Sequence, residues 1–453
     1  MSLQFKPYNP NDRFLLPPAL QDWLPKDHMA HFVCEAIDQL DLSLVYACYS
    51  SDRGQPAYNP TMMMRLLVYA YCIGVKSSRK IEQKTHEDVA IRILAGNQHP
   101  DHDTIAEFRK RHLKAFENIF VQVLQLCEEA GMVQMGEVSL DGTKVKANAS
   151  KHKAMSYERM EKREKELRQE VRRLLQQAEQ TDQTEDRKYG KGNKGWTLPE
   201  ELAIREKRLI RIQEAKKALE EAARQAAQEK REQRKEVERK AEEEGRALGG
   251  RPPKISARPD PKAQRNFTDP ESRIMKGADG YVQAYNCQAV VDGASQVIVA
   301  CEVTDCAVDA TQVERMIEQI QRNMDRLPKR ASMDAGYFSK ENVEFLARQS
   351  IDAYIATGRQ KHSQKAPDPP RGRIPAGATV KDRMSRKLRT KKGQEVYARR
   401  KTIAEPPFGQ IKNRGFRQFS LRGLTNAKAE WKLVCTTHNL LKLFRSGRRP
   451  WAN

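Results

Sequence analysis

Three acidic residues stand where phosphodiester chemistry would need them. Asp141 ends an alternating stretch, Asp334 ends a short apolar one, Arg330-Ala-Ser-Met-Asp-Ala-Gly336, and Glu405 lies on a late, basic helical run. Three carboxylates brought together hold two divalent ions ~4 Å apart, a pair that activates water or a 3′-hydroxyl and stabilises the leaving oxygen. Hard oxygen ligands suit Mg2+, with Mn2+ as its substitute. Such a site is acidic, while the surface around it must be basic to hold a phosphate backbone. That inversion is present: Lys144 and Lys146 follow Asp141, and Arg399, Arg400, Lys401 and Lys412 surround Glu405. Taken alone, each acid is one of 60, for which a surface or capping role is the ordinary one. Asp305, Asp309 and Asp292 also fall near strand ends. Asp309 reads better as a helix cap and Asp292 as a turn residue.

Other constellations fare poorly. His99, His102 and His112 have no cysteine partners nearby, and a polar loop with a helix start accounts for them. Cys301 and Cys306 lie on a strand and just beyond it, where packing is the ordinary role. No GxxxxGK[ST] phosphate loop occurs, so nothing supports ATP use. No Ser/His/Asp arrangement follows from sequence order. Eight cysteines in 453 residues, without a CxxC pair, argue against a disulfide scaffold or zinc finger and for a cytoplasmic protein with reduced thiols. Lys and Arg number 82 against 60 acids, a net charge of +22. That excess is spread over a large protein, so a polyanion is the first partner to consider, and nucleic acid the commonest one. The longest apolar stretch, Leu66 to Val75, is half of the ~20 residues a membrane span needs. The N-terminal MSLQFKPYNPNDR has no apolar h-region, which argues against a secretory signal.

At ~150 residues per domain the length predicts two to four domains. Residues 1–135 read as helical. Pro18 opens an apolar run through Leu20, Trp23 and Leu24, and a second passes His28, Phe32, Ile37 and Leu40. Asn59-Pro60 is a helix-start signal. Met62 to Val75 is apolar almost all round, which predicts a buried helix closed by Gly74. Ser77-Ser78 can cap the next helix, Arg79 to His86. Asp103 is the expected cap of one long helix through Phe108, Leu113, Phe116 and Phe120 to Glu129. The succession Met62–Val75, turn, Arg79–His86 fits a DNA-reading helix-turn-helix or an ordinary bundle.

Residues 136–150 switch to alternation, Glu137-Val-Ser-Leu-Asp-Gly-Thr-Lys-Val-Lys146, with Gly142 as a turn former, and read as a strand or hairpin edge. From 151 to 250 there are 27 Lys/Arg and 22 Asp/Glu with three aromatics. Met160, Leu167, Val171 and Leu174 form one apolar seam, and Leu202, Leu209, Ile212 and Leu219 another, broken at Gly190–Pro199. This predicts an antiparallel coiled-coil hairpin, although the composition also suits partial disorder. Gly249-Gly-Arg-Pro-Pro-Lys254 resembles a minor-groove hook but reads first as a basic linker. Strands return at Tyr281–Val291 and Gln296–Val303, a hairpin across Asp292-Gly293. A helix through Val313 and Ile320 follows, then the strand to Asp334, a helix capped by Ser339, and a strand at Ile351–Thr357. Residues 359–401 carry 15 Lys/Arg against three acids, a basic arm. Tyr397–Lys412 and Ala427–Arg445 close the chain as helices.

Three blocks, Ser139-Leu-Asp141-Gly-Thr-Lys144, Met333-Asp334-Ala-Gly-Tyr337 and Tyr397-Ala-Arg-Arg400…Glu405…Lys412, resemble those of bacterial insertion-sequence DDE transposases. The third is similar to the Tyr-Arg-Glu-Lys signature of that group. Its Glu-to-Lys spacing matches, while the Arg-to-Glu gap has four residues where the usual pattern has three. Arg399 therefore shares candidacy with Arg400. Pro100-Asp-His-Asp-Thr-Ile105…Phe108-Arg-Lys-Arg-His112, Asn266-Phe-Thr-Asp-Pro270…Ser272-Arg-Ile-Met275 and His438-Asn-Leu-Leu-Lys442 are similar to one branch of the family.

The resemblance implies an α/β, RNase H-like catalytic core (136–150 and 266–453) after an all-helical DNA-binding domain (1–135); the charged helical hairpin and linker (151–265) that interrupt the core are larger than the family's pattern. In that family the first Asp sits on the first strand, the second near the end of the fourth, and the Glu on a following helix. It implies Asp141, Asp334 and Glu405 as metal ligands, and Tyr397, Arg400 and Lys412 as contacts to transposon-end DNA, with Arg399 and Lys144 beside them. It also implies a homodimer that synapses two ends. Two other readings remain open at this point: a nuclease of the same fold without strand transfer, and a non-catalytic DNA-bridging relative.

Overall fold

The computed structural model describes residues 19–49, 56–189, 200–243, 245, 255–277, 280–358, 369–375 and 377–452. Pro18, the break at 190–199, the linker at 249–254 and the stretch 359–368 of the basic arm lie outside the described residues.

Along the chain, helices α1 (Met29–Asp38), α2 (Ser43–Tyr46), α3 (Pro60–Cys72), α4 (Ser78–Glu87), α5 (Val89–Leu94), α6 (His102–Arg111) and α7 (Leu113–Glu129) lead to strand β1 (Val138–Lys146). There follow β2 (Ala154–Ser156), α8 (Tyr157–Tyr189), α9 (Glu200–Glu243), β3 (Gln264–Asn266) and β4 (Arg273–Gly277). Then come β5 (Gly280–Asp292), β6 (Ile298–Thr304), α10 (Val313–Met324), β7 (Arg330–Met333), α11 (Lys340–Arg348), β8 (Asp352–Ile355), α12 (Val380–Arg389), α13 (Lys391–Asn413) and α14 (Leu424–Ser446). Two compact units result, one of residues 1–145 with 286–453, the other of residues 146–285.

The larger unit is a mixed α/β structure. Its strands run in the order β6-β5-β1-β7-β8. β1, β7 and β8 are parallel, whereas β5 and β6 form the expected antiparallel hairpin. β1 is therefore central, not a hairpin edge. Gly142 makes no turn; it lies within the strand, as glycine does where another group must approach closely.

The N-terminal helices follow the apolar pattern with local corrections. α3 is buried on nearly every side; Asn59 caps it by accepting from the Met62 N–H at 3.1 Å, and Gly74 ends it at φ +81°. The first apolar run forms only a short 3-10 turn, Leu20–Trp23, with Trp23 half exposed. Ser77 occupies the cap position of α4 but makes no capping bond with its side chain; the Ser78 hydroxyl instead accepts from Arg109. The long helix expected from Asp103 is two helices. Asp101 caps α6 through the Thr104 N–H at 2.6 Å, and the chain breaks at His112, whose ring stacks on Tyr49 and packs on Phe108.

α14 packs on α7, α3 and β6 and buries Trp431, Leu433, Cys435, Leu440 and Leu443. It also finishes the edge of the sheet. Asn439 accepts from the Ile298 N–H at 2.8 Å and donates to the Ile298 carbonyl at 2.9 Å, as a neighbouring strand would. An edge strand with its backbone groups satisfied no longer templates pairing with another chain. His438 donates from Nε2 to the Gln296 carbonyl at 3.0 Å, and Lys442 bonds the Gln296 side chain at 2.6 Å. The segment His438–Lys442 is thus a clamp on the β5–β6 turn.

In the smaller unit, β2 and β3 form an antiparallel ribbon. α8 and α9 pack along Met160, Leu167, Ile212 and Ala215. Their polar pairs run in opposite order, Tyr157 with Glu220, Glu164 with Lys216 and Glu170 with Arg205, so the helices are antiparallel. Among the described residues, no helix is long and apolar enough to cross a membrane.

Two outcomes follow from these contacts. A Cβ on Gly74 would lie 2.3 Å from the Arg414 carbonyl oxygen, on a backbone that L-residues adopt at a cost of ~1–2 kcal/mol. Gly74→Ala should lower the melting temperature, by more than that conformational cost alone, in a thermal denaturation series. Burial pushes the His438 imidazole down to about 3. The unfolded chain takes up a proton below its ordinary value near 6.5 while the folded chain does not, so stability falls as pH drops between those values. From pH 7 to 5 this site should remove up to ~2 kcal/mol. His438→Gln should flatten the dependence of melting temperature on pH over that range.

Candidate active site

β1 and β7 pair in register Val138↔Ala331, Ser139↔Ser332 and Leu140↔Met333. The next residues on these adjacent parallel strands are Asp141 and Asp334, so register alone brings the two acids side by side. The Asp141 carboxylate accepts from the Gly142 N–H at 2.8 Å and from Arg400 Nη1 at 3.1 Å. Burial raises its pKa, Arg400 pulls it down and the charge of Asp334 raises it again; the net direction is upward. Asp334 ends its strand and caps the short turn Ala335–Tyr337 by accepting from the Gly336 N–H at 2.8 Å.

Glu405 and the basic residues come from α13. Arg400 is mostly buried, and its Nη2 lies 3.9 Å from Glu405 Oε1 while its Nη1 holds Asp141. The guanidinium thus stands between the two carboxylates. Burial works against its charge, but Asp141, Tyr397, Asp334 and Glu405 outweigh burial and raise its pKa. Its centre lies 5.7 Å from the Tyr397 ring centroid, within range of a cation–π contact. Arg399 points elsewhere, with Nη1 3.2 Å from the buried carboxylate of Glu137. Glu405 is followed by Pro406 and Pro407 inside the helix. Pro406 has no N–H for the Thr402 carbonyl, and the Gln296 amide donates to that carbonyl instead, at 2.7 Å. The β5–β6 turn therefore supports the helix beside Glu405. Lys412, in the last turn of α13, makes no ion pair among the described residues.

Sequence reasoning missed a fourth acid. Asp309 does not cap a helix with its side chain. Its Oδ1 accepts from Asn286 at 2.7 Å, from Gln288 at 2.9 Å and from Lys144 Nζ at 3.1 Å. A Cβ on Gly336 would lie 3.0 Å from Asp334 Oδ1 and 3.3 Å from Asp309 Oδ2, so both oxygens face one small gap. Tyr337 donates its hydroxyl to Gln288. Burial first, then the charges of Asp309, Asp141 and Asp334, hold that phenol well above its usual range. A Cβ on Gly142 would come within 2.5 Å of Gln288 Nε2 and 3.1 Å of Tyr337 Oη; glycine is what admits them behind Asp141. A signal for this group was present in Asn286 and Gln288, amides set among the apolar residues of β5, because a buried polar side chain implies a partner.

The residues brought together are Asp141, Asp334, Arg400 and Glu405, with Tyr397 over Arg400 and Lys144 on Asp309. Asp292 is a turn residue as expected, and it also accepts from the Met135 N–H at 2.8 Å. The donors around Asp141 are carboxylate oxygens, which fit a hard divalent cation. Among the described residues no three His, Cys, Asp or Glu side chains converge as a ready metal site; Arg400 occupies the space between Asp141 and Glu405.

Two family models match the chain: a transposase domain (DUF772) over residues 18–111 and a transposase DDE domain over residues 253–440. Asp334, Tyr397, Arg399, Arg400, Glu405 and Lys412 fall inside the second match, whereas Asp141 and Lys144 lie outside both. No curated protein and no solved structure matches. With a DDE domain of this kind and a transposase domain ahead of it, the chain belongs to the insertion-sequence DDE transposases.

Proposed function

We propose that this transposase binds the ends of a mobile element, cuts the DNA by metal-dependent hydrolysis and joins the 3′-hydroxyl to target DNA. The observation that carries the reading is the adjacency of Asp141 and Asp334 on paired parallel strands, with Arg400 linking Asp141 to Glu405. Asp141, Asp334 and Glu405 are the residues that would hold Mg2+, or Mn2+ in its place. A divalent cation held there supplies Lewis-acid activation of water or a 3′-hydroxyl. An RNase H-like core is supported by the setting of each acid. Among the described residues, Asp141 lies on the first of the larger unit's five strands, Asp334 follows the fourth, and Glu405 is on a later helix.

Tyr397, Arg400 and Lys412 are proposed to contact the element ends, with Arg399 and Lys144 adding positive charge. The succession α3, turn, α4 is proposed to read the ends, and a homodimer to synapse them. The antiparallel α8 and α9 would act as a coiled-coil insertion that bridges DNA or protomers.

Asp334→Asn should keep binding to end DNA and lose Mg2+-dependent cleavage, measured by gel shift and by nicking of end-labelled duplex. Alanine at Asp141 or Glu405 should do the same. Cleavage surviving in any of the three removes that residue from the site. Pre-cut ends incubated with a plasmid target should become joined to it; cleavage without joining would make the protein a nuclease.

A further inference from the structure

We propose that Asp309 is a positioning residue of this site, the tie that fixes Asp141 and Asp334 relative to each other. The proposal rests on the reading of those acids as metal ligands. Lys144 is three residues after Asp141, and Tyr337 is three after Asp334. Lys144 pairs with Asp309, Asp309 accepts from Gln288, and Gln288 accepts from Tyr337. A ring of polar bonds therefore closes between the strand that carries Asp141 and the turn that carries Asp334.

Asn342 reinforces this ring. Its Nδ2 donates at 2.8 Å both to the Ala310 carbonyl, beside Asp309, and to the Tyr337 carbonyl. Asn286 adds a third donor to Asp309 Oδ1 and also bonds the Cys306 carbonyl at 3.1 Å. With Oδ1 saturated, Oδ2 is directed at the gap over Gly336 that it shares with Asp334. Gln288 is in turn set by Trp431, whose Nε1 donates to its carbonyl at 3.1 Å. Lys144, on this view, contributes through Asp309 rather than as a free phosphate contact.

Residues that orient metal ligands typically change metal affinity or activity by about 10- to 100-fold when altered. The test uses the full-length protein and Asp309→Asn, which keeps the size of the side chain and removes its charge. Mn2+ binding without DNA is read by electron paramagnetic resonance of the free ion, beside end-DNA affinity, cleavage kcat and KM, and thermal melting. The expected result is a loss of about 10-fold or more in Mn2+ affinity and kcat, with KM, DNA affinity and melting temperature close to wild type. A purely structural role would lower melting temperature and DNA affinity in parallel. Unchanged Mn2+ affinity and kcat in folded Asp309→Asn would overturn the proposal. If that variant does not fold, Tyr337→Phe opens the same ring by one hydroxyl and should shift Mn2+ affinity in the same direction; no shift there overturns it. Wild type that neither binds Mn2+ nor cleaves defeats the functional reading, and this proposal with it.

Discussion

Carboxylates with like charge repel, and the site is organised around holding them together. Asp141, Asp334 and Asp309 all bear on the same buried phenol, Tyr337. Two cations offset them: Arg400 reaches both Asp141 and Glu405, and Lys144 holds Asp309. Four carboxylates against two cations leave a residual negative potential at the ends of β1 and β7. A hard divalent cation is the natural counter-charge for such a set. Burial is what raises the pKa of Asp141; Arg400 and the Gly142 N–H pull it down, and the charge of Asp334 adds to the rise.

Holding like charges close requires a rigid frame, and the elements around the site supply it. The β1–β7 register fixes one pair of acids without any side-chain contact between them. The helix that carries Glu405 cannot bond its Thr402 carbonyl across Pro406, and Gln296 takes up that carbonyl from the hairpin turn. Gln296 takes a left-handed backbone, φ +59°, and is gripped by His438 and Lys442 of α14. The same residue therefore ties the sheet edge, the C-terminal helix and the Glu405 helix at one point. The C-terminal motif, which has no chemistry of its own, bears on the site through this hub.

Much of this was legible in the sequence. The β5–β6 hairpin, the buried α3 with its Asn-Pro start and Gly74 stop, and the strands expected up to Asp334 and over Ile351–Thr357, which form as Arg330–Met333 and Asp352–Ile355, follow from alternation, capping and turn chemistry. Asp141 and Asp334 are legible as acids that end alternating or apolar stretches and Glu405 as an acid on a basic helical run, and the resemblance groups them. What stayed hidden depends on partners distant in sequence. Asp309 looks like a cap from its neighbours alone, yet its partners are Lys144, Asn286 and Gln288. Gly142 looks like a turn former, yet its role is to leave room for Gln288 and Tyr337. Asp103 lost the cap to Asp101, because two acids within one turn compete and local pattern cannot rank them. The break at His112 likewise reflects packing on Tyr49 and Phe108, which periodicity does not encode.

The distribution of the family matches sharpens one structural point. Asp141 lies outside both matched segments, and 140 residues of the smaller unit separate the end of its strand from the return of the chain at Asn286. Such a separation is tolerable because loop-closure entropy grows only logarithmically, by ~0.6 kcal/mol for each doubling of length. The larger unit also limits what the separation can disturb. β1 lies between β5 and β7, so the strand before the interruption and the strand after it are neighbours in one sheet. Their hydrogen bonds, together with the Lys144–Asp309–Gln288–Tyr337 ring, set the position of Asp141 from residues that lie on both sides of the interruption.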